Sequence, residues 1–214
     1  MARNIRIIPA ILTDDPQALK TMLLQSSTFT DYVQIDIMDG RFVPSRSVTW
    51  QQLSGLAVNI NWEAHLMVEQ PEEQLEHFKG VGAGKVIFHF EAAPDPLRVI
   101  STGRKLGLNI GLALNPETPV ERILSFTGEL DSVLFLAVHP GFYGAKFIPE
   151  VLDKIAALRK AKPNLKIGID GGIKESNIAQ IAKSGVDEIC VGSAIFLQPQ
   201  PGESYRKLQA LVRM

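Results

Sequence analysis

Short apolar runs recur along the chain, each followed by a longer stretch in which apolar residues fall three and four positions apart. The short runs are Ile5–Leu12, Tyr32–Ile37, Trp62–Val68, Lys85–Phe90, Asn109–Leu114, Ser132–Val138, Lys166–Ile169 and Glu188–Val191. They are rich in β-branched residues and predict strands. The intervening stretches Pro16–Gln25, Pro71–Phe78, Pro94–Lys105, Pro119–Phe126, Pro149–Lys160, Glu175–Lys183 and Tyr205–Val212 have helical spacing. Several open at or beside a proline, which a first helical turn tolerates because its N–H groups lack intrahelical partners. A shorter helix over Val48–Leu56 rests on Trp50, Leu53 and Leu56 sharing one side.

Strands this uniformly apolar need cover on both faces, and alternation with helices supplies it through right-handed crossovers, which makes the sheet parallel. Eight such units in 214 residues favour closure into a (β/α)8 barrel, a TIM barrel, as one domain over residues 1–214. An open doubly wound sheet is the competing arrangement. Eight strands, and no Gly-x-Gly-x-x-Gly turn after the first of them, count against it.

Composition narrows the ligand. With 22 basic and 23 acidic side chains, overall charge points neither to nucleic acid nor to an acidic membrane surface, and a small ligand held by local geometry fits better. No apolar stretch approaches membrane-spanning length, and Met1–Arg6 leads into a strand pattern without a signal-type segment, so a cytoplasmic location is expected. The one cysteine, Cys190, lies between Ile189 and Val191 and reads as a buried strand thiol.

Barrels of this kind carry their chemistry at the carboxyl ends of the strands. Asp36, His65 and His89 end strands two, three and four, while Asn115, His139 and Asp170 follow strands five, six and seven. Singly, each could be a cap or a hydrogen-bonded core residue; six successive strand ends make that coincidence less economical. Two carboxylates reaching a ligand from separate parts of the rim suit removal of a proton from one face and its return to the other. Asp36, His65 and Asp170 form a donor set compatible with zinc, manganese or iron. Asp170-Gly171-Gly172 and Gly192-Ser193-Ala194 supply Gly-rich turns after strands seven and eight, where these barrels commonly bind phosphate.

At these residues the chain resembles the ribulose-phosphate 3-epimerase family. The matching segments include Pro9-Ala10-Ile11-Leu12, Asp36-Ile37-Met38-Asp39-Gly40 with Phe42-Val43-Pro44, His65-Leu66-Met67, Asn115-Pro116-Glu117-Thr118-Pro119, Pro140-Gly141-Phe142, Asp170-Gly171-Gly172 and Gly192-Ser193-Ala194. The resemblance implies an isomerase acting on D-ribulose 5-phosphate and D-xylulose 5-phosphate through an enediolate, with Asp36 and Asp170 as acid and base. It implies a divalent metal on Asp36, His65 and Asp170, and substrate or phosphate contacts at His65, Gly141, Gly144, Gly171, Gly172, Gly192 and Ser193. No organic cofactor is expected, and a homo-oligomer is. The departures fall at the site: Gln34 stands where the family has a fourth, histidine ligand, Ala10 replaces the usual serine, and His139, Tyr143 and Ala145 replace Asn or Asp, Gly and Gln. An amide is a poorer ligand than imidazole for such metals, so weaker metal binding is expected. His139 is a poor substitute, since strands two and six lie across an eight-stranded barrel. Two further readings share the scaffold: a catalytically silent, metal-free sugar-phosphate binder, and a decarboxylase or aldolase working through an enediolate. The second would be favoured by a paired lysine and aspartate beyond the family pattern, which the sequence lacks.

Overall fold

The computed structural model describes residues 4–57, 59–141 and 145–213. Eight parallel strands close into a barrel in chain order: β1 (Arg6–Ile11), β2 (Tyr32–Met38), β3 (Asn61–Met67), β4 (Lys85–His89), β5 (Asn109–Leu114), β6 (Ser132–Leu136), β7 (Lys166–Asp170) and β8 (Glu188–Val191). Closure comes from β1 on β8, with Ile7 opposite Ile189 and Ile8 opposite Cys190. All eight expected strands form, Asn109–Leu114 and Glu188–Val191 with the expected ends and the others displaced by at most two residues; Asp170 is the last residue of β7 rather than the first of the next loop.

Around the barrel lie α1 (Pro16–Ser26), α2 (Trp50–Ser54), α3 (Leu75–Gly80), α4 (Pro96–Lys105), α5 (Val151–Ala161), α6 (Ile178–Ala182), α7 (Ser193–Phe196) and α8 (Pro201–Val212). Caps decide several starts. The Asp15 side chain accepts from Gln17 N, and Asp95 accepts from Arg98 N with Pro96 as the next residue, so α4 begins after Asp95 and not at Pro94. Thr49 and Gln52 form a reciprocal capping box, which holds the short α2 in place of the longer helix expected over Val48–Leu56.

Two expected helices come out differently. Pro71–Phe78 divides into a 3₁₀ turn at Pro71–Glu73 and α3, with Gln70 in the left-handed region (φ 50°) at the entry. Pro119–Phe126 forms no α-helix; Val120–Ile123 and Thr127–Glu129 are 3₁₀ turns. Both are the short pieces, three or four residues long, in which 3₁₀ geometry is usual. At the other end of the chain, α8 starts at Pro201, ahead of the expected Tyr205.

Alternation along the strands divides the interior in two. Outward-facing Ile7, Val33, Val86, Leu112 and Ile167 pack with helix residues such as Leu19, Leu75 and Ile155. Inside the barrel, Ile8, Ala10, Ile87, Ala113, Leu134, Leu136 and Cys190 form a separate apolar band. Cys190 is a free, buried thiol, as expected. Toward the amino ends of the strands the lumen closes with a charged floor: Lys85 Nζ lies 2.9 Å from Glu63 Oε2 and 3.5 Å from Glu188 Oε2, and the Tyr32 hydroxyl donates to Glu63 Oε2 at 3.0 Å. Burial opposes the Lys85 charge, but Glu63 and Glu188 overcome it and hold the ammonium's pKa above its ordinary value. Among the described residues no helix is long and apolar enough to cross a membrane.

Candidate active site

The carboxyl ends of the strands open into a cleft lined by Asp36, His65 and Asp170 together with Gly141, Gly171, Gly172, Gly192 and Ser193. Period-two alternation sends Gln34, Asp36 and Met38 of β2 inward, and likewise His65 and Met67 of β3. Two strands separate Asp36 from Asp170, and their side chains at this level are small: Ala10 on β1 and Cys190 on β8. The carboxylates therefore converge instead of standing apart on the rim. Gln34, fully buried, donates through Nε2 to Asp36 Oδ1 at 2.9 Å and to Asp170 Oδ2 at 2.7 Å. Its carbonyl oxygen, Oε1, is buried without a partner.

His65 completes the group. Its Nδ1 lies 3.0 Å from Asp36 Oδ1 and 3.7 Å from Asp170 Oδ2, and its Nε2 lies 3.0 Å from His89 Nε2. One ligand atom from each of Asp36, His65 and Asp170 falls within 4.8 Å of the others, so a single cation can be shared among them. Burial, and then the charge of Asp36, push the Asp170 carboxyl well above the usual range, to about 7. For His65 burial works against the charged form, yet the hydrogen bond and charge of Asp36, with the charge of Asp170, raise its pKa. His89 has weaker compensation, and burial drives it down to about 4.

The surrounding loops are fixed by side chains that the motifs contain. Asp39 Oδ1 accepts from Arg41 N and Phe42 N at 2.8 and 3.0 Å, and Oδ2 accepts from Glu69 N at 2.8 Å, tying the loop after β2 to that after β3. Gly171 has φ +100°, and a Cβ there would sit 2.5 Å from Val138 Cγ2; Gly172 has φ +67° and would meet the Phe147 backbone at 2.9 Å. Only glycine suits either position. Asn177 holds this turn by donating to Gly172 O at 3.0 Å.

The cleft thus gathers Asp36, His65, Asp170, Gly141, Gly171, Gly172, Gly192 and Ser193. Gly144 and Tyr143 lie outside the described residues. His139 is not part of the cleft: it is largely exposed and lies 3.0 Å from Glu117. Sequence reasoning missed the contact of Gln34 with Asp170, and it missed Glu91, whose Oε2 faces His89 Nδ1 at 3.4 Å. The available signal was a carboxylate two residues after a strand-end histidine.

A model of the ribulose-phosphate 3 epimerase family matches residues 6–196. Relatives named ribulose-phosphate 3-epimerase include one from Schizosaccharomyces pombe, 33% identical over 204 residues covering 92% of this chain and 90% of the relative. Another, from Synechocystis, is 34% identical and covers 95% and 93%. Among solved structures, a 3-hexulose-6-phosphate synthase superposes with a TM-score of 0.71 at 14% identity, covering 97% of this chain and 99% of that one. An orotidine 5'-phosphate decarboxylase from Pyrococcus horikoshii gives 0.69 at 16% identity, covering 98% and 100%; these two likenesses are of fold. With the family model spanning nearly the whole barrel and relatives a third identical along their length, the chain belongs to the ribulose-phosphate 3-epimerase family.

Proposed function

We propose that the chain interconverts D-ribulose 5-phosphate and D-xylulose 5-phosphate by moving a proton at the carbon beside the keto group. One observation carries this reading: two carboxylates from non-adjacent strands meet on one buried amide, beside an imidazole, at the mouth of the barrel. Asp36 and Asp170 would take the proton from one face of the carbon and return one to the other. A carboxyl held near neutrality, as Asp170 is, suits alternate use as acid and base. Backbone groups of Gly171, Gly172, Gly192 and Ser193 would hold the phosphate. Met38, Met67 and Leu136, which line the same cleft, would keep water from the reacting carbon.

Asp36, His65 and Asp170 fit a divalent ion such as zinc, manganese or iron, and the unpartnered Gln34 Oε1 is a neutral oxygen that a turn of the amide would present to it. When bound, such an ion supplies electrostatic stabilisation to the oxyanion that develops as the proton leaves. The test is proton exchange: in deuterium oxide, the C3 hydrogen of either sugar phosphate should be replaced by solvent deuterium as the epimers equilibrate. Absence of both exchange and interconversion, with zinc or manganese supplied, would sink the assignment.

Gln34 gives a second expectation. An imidazole there adds a ligand and removes the amide N–H groups that now occupy the carboxylates, so Gln34→His should bind zinc more tightly. The expected gain is about ten- to a hundredfold, the range over which changes close to a metal move its affinity. Titration of zinc into metal-free parent and variant measures it. Equal, tight binding by both would show that Gln34 is no handicap.

A further inference from the structure

A line of polar side chains leads away from Asp36 through the buried His65 and His89 to Glu91, whose side chain is 20% exposed. The two imidazoles meet edge on, with Nε2 atoms 3.0 Å apart, ring centroids 5.2 Å apart and planes inclined by 23°. Both rings are fully buried, and Phe42 covers His89 at a centroid distance of 4.9 Å. Glu91 is anchored where it stands: its Oε1 accepts from Asn115 N at 2.9 Å and from the Thr118 hydroxyl, which leaves Oε2 facing His89 Nδ1 at 3.4 Å. Burial alone would raise the Glu91 pKa, yet bonds from His89, Thr118 and Asn115 hold it below the ordinary value, so it is a carboxylate.

We infer that Glu91 and His89 are positioning residues that keep a proton on His65 Nε2, so that Nδ1 is the nitrogen free to bind in the site. An ionised carboxylate only accepts, so Nδ1, the nitrogen that His89 turns to Glu91, carries the proton, and only one N–H fits between the two Nε2 atoms. His89 Nε2 is then an acceptor. His65 must donate to it from Nε2, because two lone pairs 3.0 Å apart would repel. That leaves Nδ1, which faces Asp36 Oδ1 at 3.0 Å, as the nitrogen of His65 that can give up its proton and offer a lone pair when a cation lies between Asp36 and Asp170. With the opposite tautomer on His89, a lone pair would confront Glu91, and His65 would have to keep a proton on Nδ1, where it blocks a ligand. A carboxylate orienting a metal-binding histidine is a common device; here it acts through a second imidazole. The cation role rests on the function proposed above, whereas the tautomers do not.

The experiment uses full-length, metal-free protein labelled with nitrogen-15 in histidine. There are four histidines, and His77→Gln and His139→Gln assign the two outside the line. Long-range proton–nitrogen spectra should show His89 protonated at Nδ1 and bare at Nε2. In Glu91→Ala that pattern should be lost, and zinc should bind about ten- to a hundredfold more weakly. Glu91→Gln, whose amide oxygen still accepts from Nδ1, should retain more of both, and it serves if the alanine variant fails to fold. Thr118→Val, which removes one anchor and leaves the His89 contact, should keep the parent pattern. A parent His89 protonated at Nε2, or a Glu91→Ala variant with parent tautomers and zinc affinity, would overturn the proposal. So would Thr118→Val reproducing the Glu91→Ala losses, since Glu91 would then act only by holding its loop. Failure of the epimerase assignment alone would leave the tautomer result standing.

Discussion

Asp36→Asn and Asp170→Asn are each expected to slow interconversion of the two pentulose phosphates by about a hundred- to ten-thousandfold, the usual contribution of a positioned acid or base. Asparagine keeps the shape of the side chain and, through its oxygen, the hydrogen bond from Gln34 Nε2, so the fold should survive. What it cannot do is accept the proton of the reacting carbon. Turnover followed by NMR in deuterium oxide, with circular dichroism to check folding, makes the measurement. Near-parent turnover by either variant would mean that proton transfer at the carbon does not need two carboxylates, and the mechanism would have to be rebuilt around one.

Lys85→Met should have the largest effect on stability. The change leaves Glu63, whose side chain is 1% exposed, without its cation. Breaking one side of a buried ion pair costs about 3–5 kcal/mol, a large share of the 5–15 kcal/mol typical of a folded domain. Lys85→Met with Glu63→Gln removes the fully buried pair and leaves Glu188 to Lys166, 3.8 Å away, so it should recover much of the loss. Urea unfolding of parent, single and double variants, compared at constant slope, separates the cases. A single variant within about 0.5 kcal/mol of the parent would show that the floor is not held by this pair.

Much of the barrel was legible because a buried parallel strand leaves a dense apolar run, and eight such runs survive any shift of one residue at their ends. Asp36, His65 and Asp170 were legible because the fold restricts chemistry to strand ends. Helix boundaries were less so, since they turn on single caps such as Asp95 and the Thr49–Gln52 box. The Gln34 bridge joins residues 136 apart in sequence and exists only because Ala10 and Cys190 leave room, which no local pattern records. Glu91 was hidden for a similar reason: the groups that hold it come from the loop after β5, 24 and 27 residues on. Glu63, Lys85 and Glu188 stood at the starts of predicted strands like ordinary surface charges, and their meeting inside the barrel depended on closure.

That closure has an electrical consequence. The floor network of Tyr32, Glu63, Lys85 and Glu188 and the mouth network of Gln34, Asp36, His65 and Asp170 share no hydrogen bond among the described residues: Gln34 Nε2 is taken by the two aspartates, and Glu63 Oε2 by Tyr32 and Lys85. The apolar band of Ile8, Ile87, Leu134 and their neighbours lies within the same lumen and offers no donor or acceptor side chain to link them, apart from the Cys190 thiol. Fields pass through such a layer, and Glu63 contributes to the raised pKa of His65. Protons need a relay of donors and acceptors, and no hydrogen bond among the described residues supplies one between floor and mouth, although Gln34 and Glu63 are neighbours in register on β2 and β3. The side-chain route that does leave Asp36 runs through His65 and His89 to Glu91, so a proton of the mouth has a described path to that carboxylate and none to the floor.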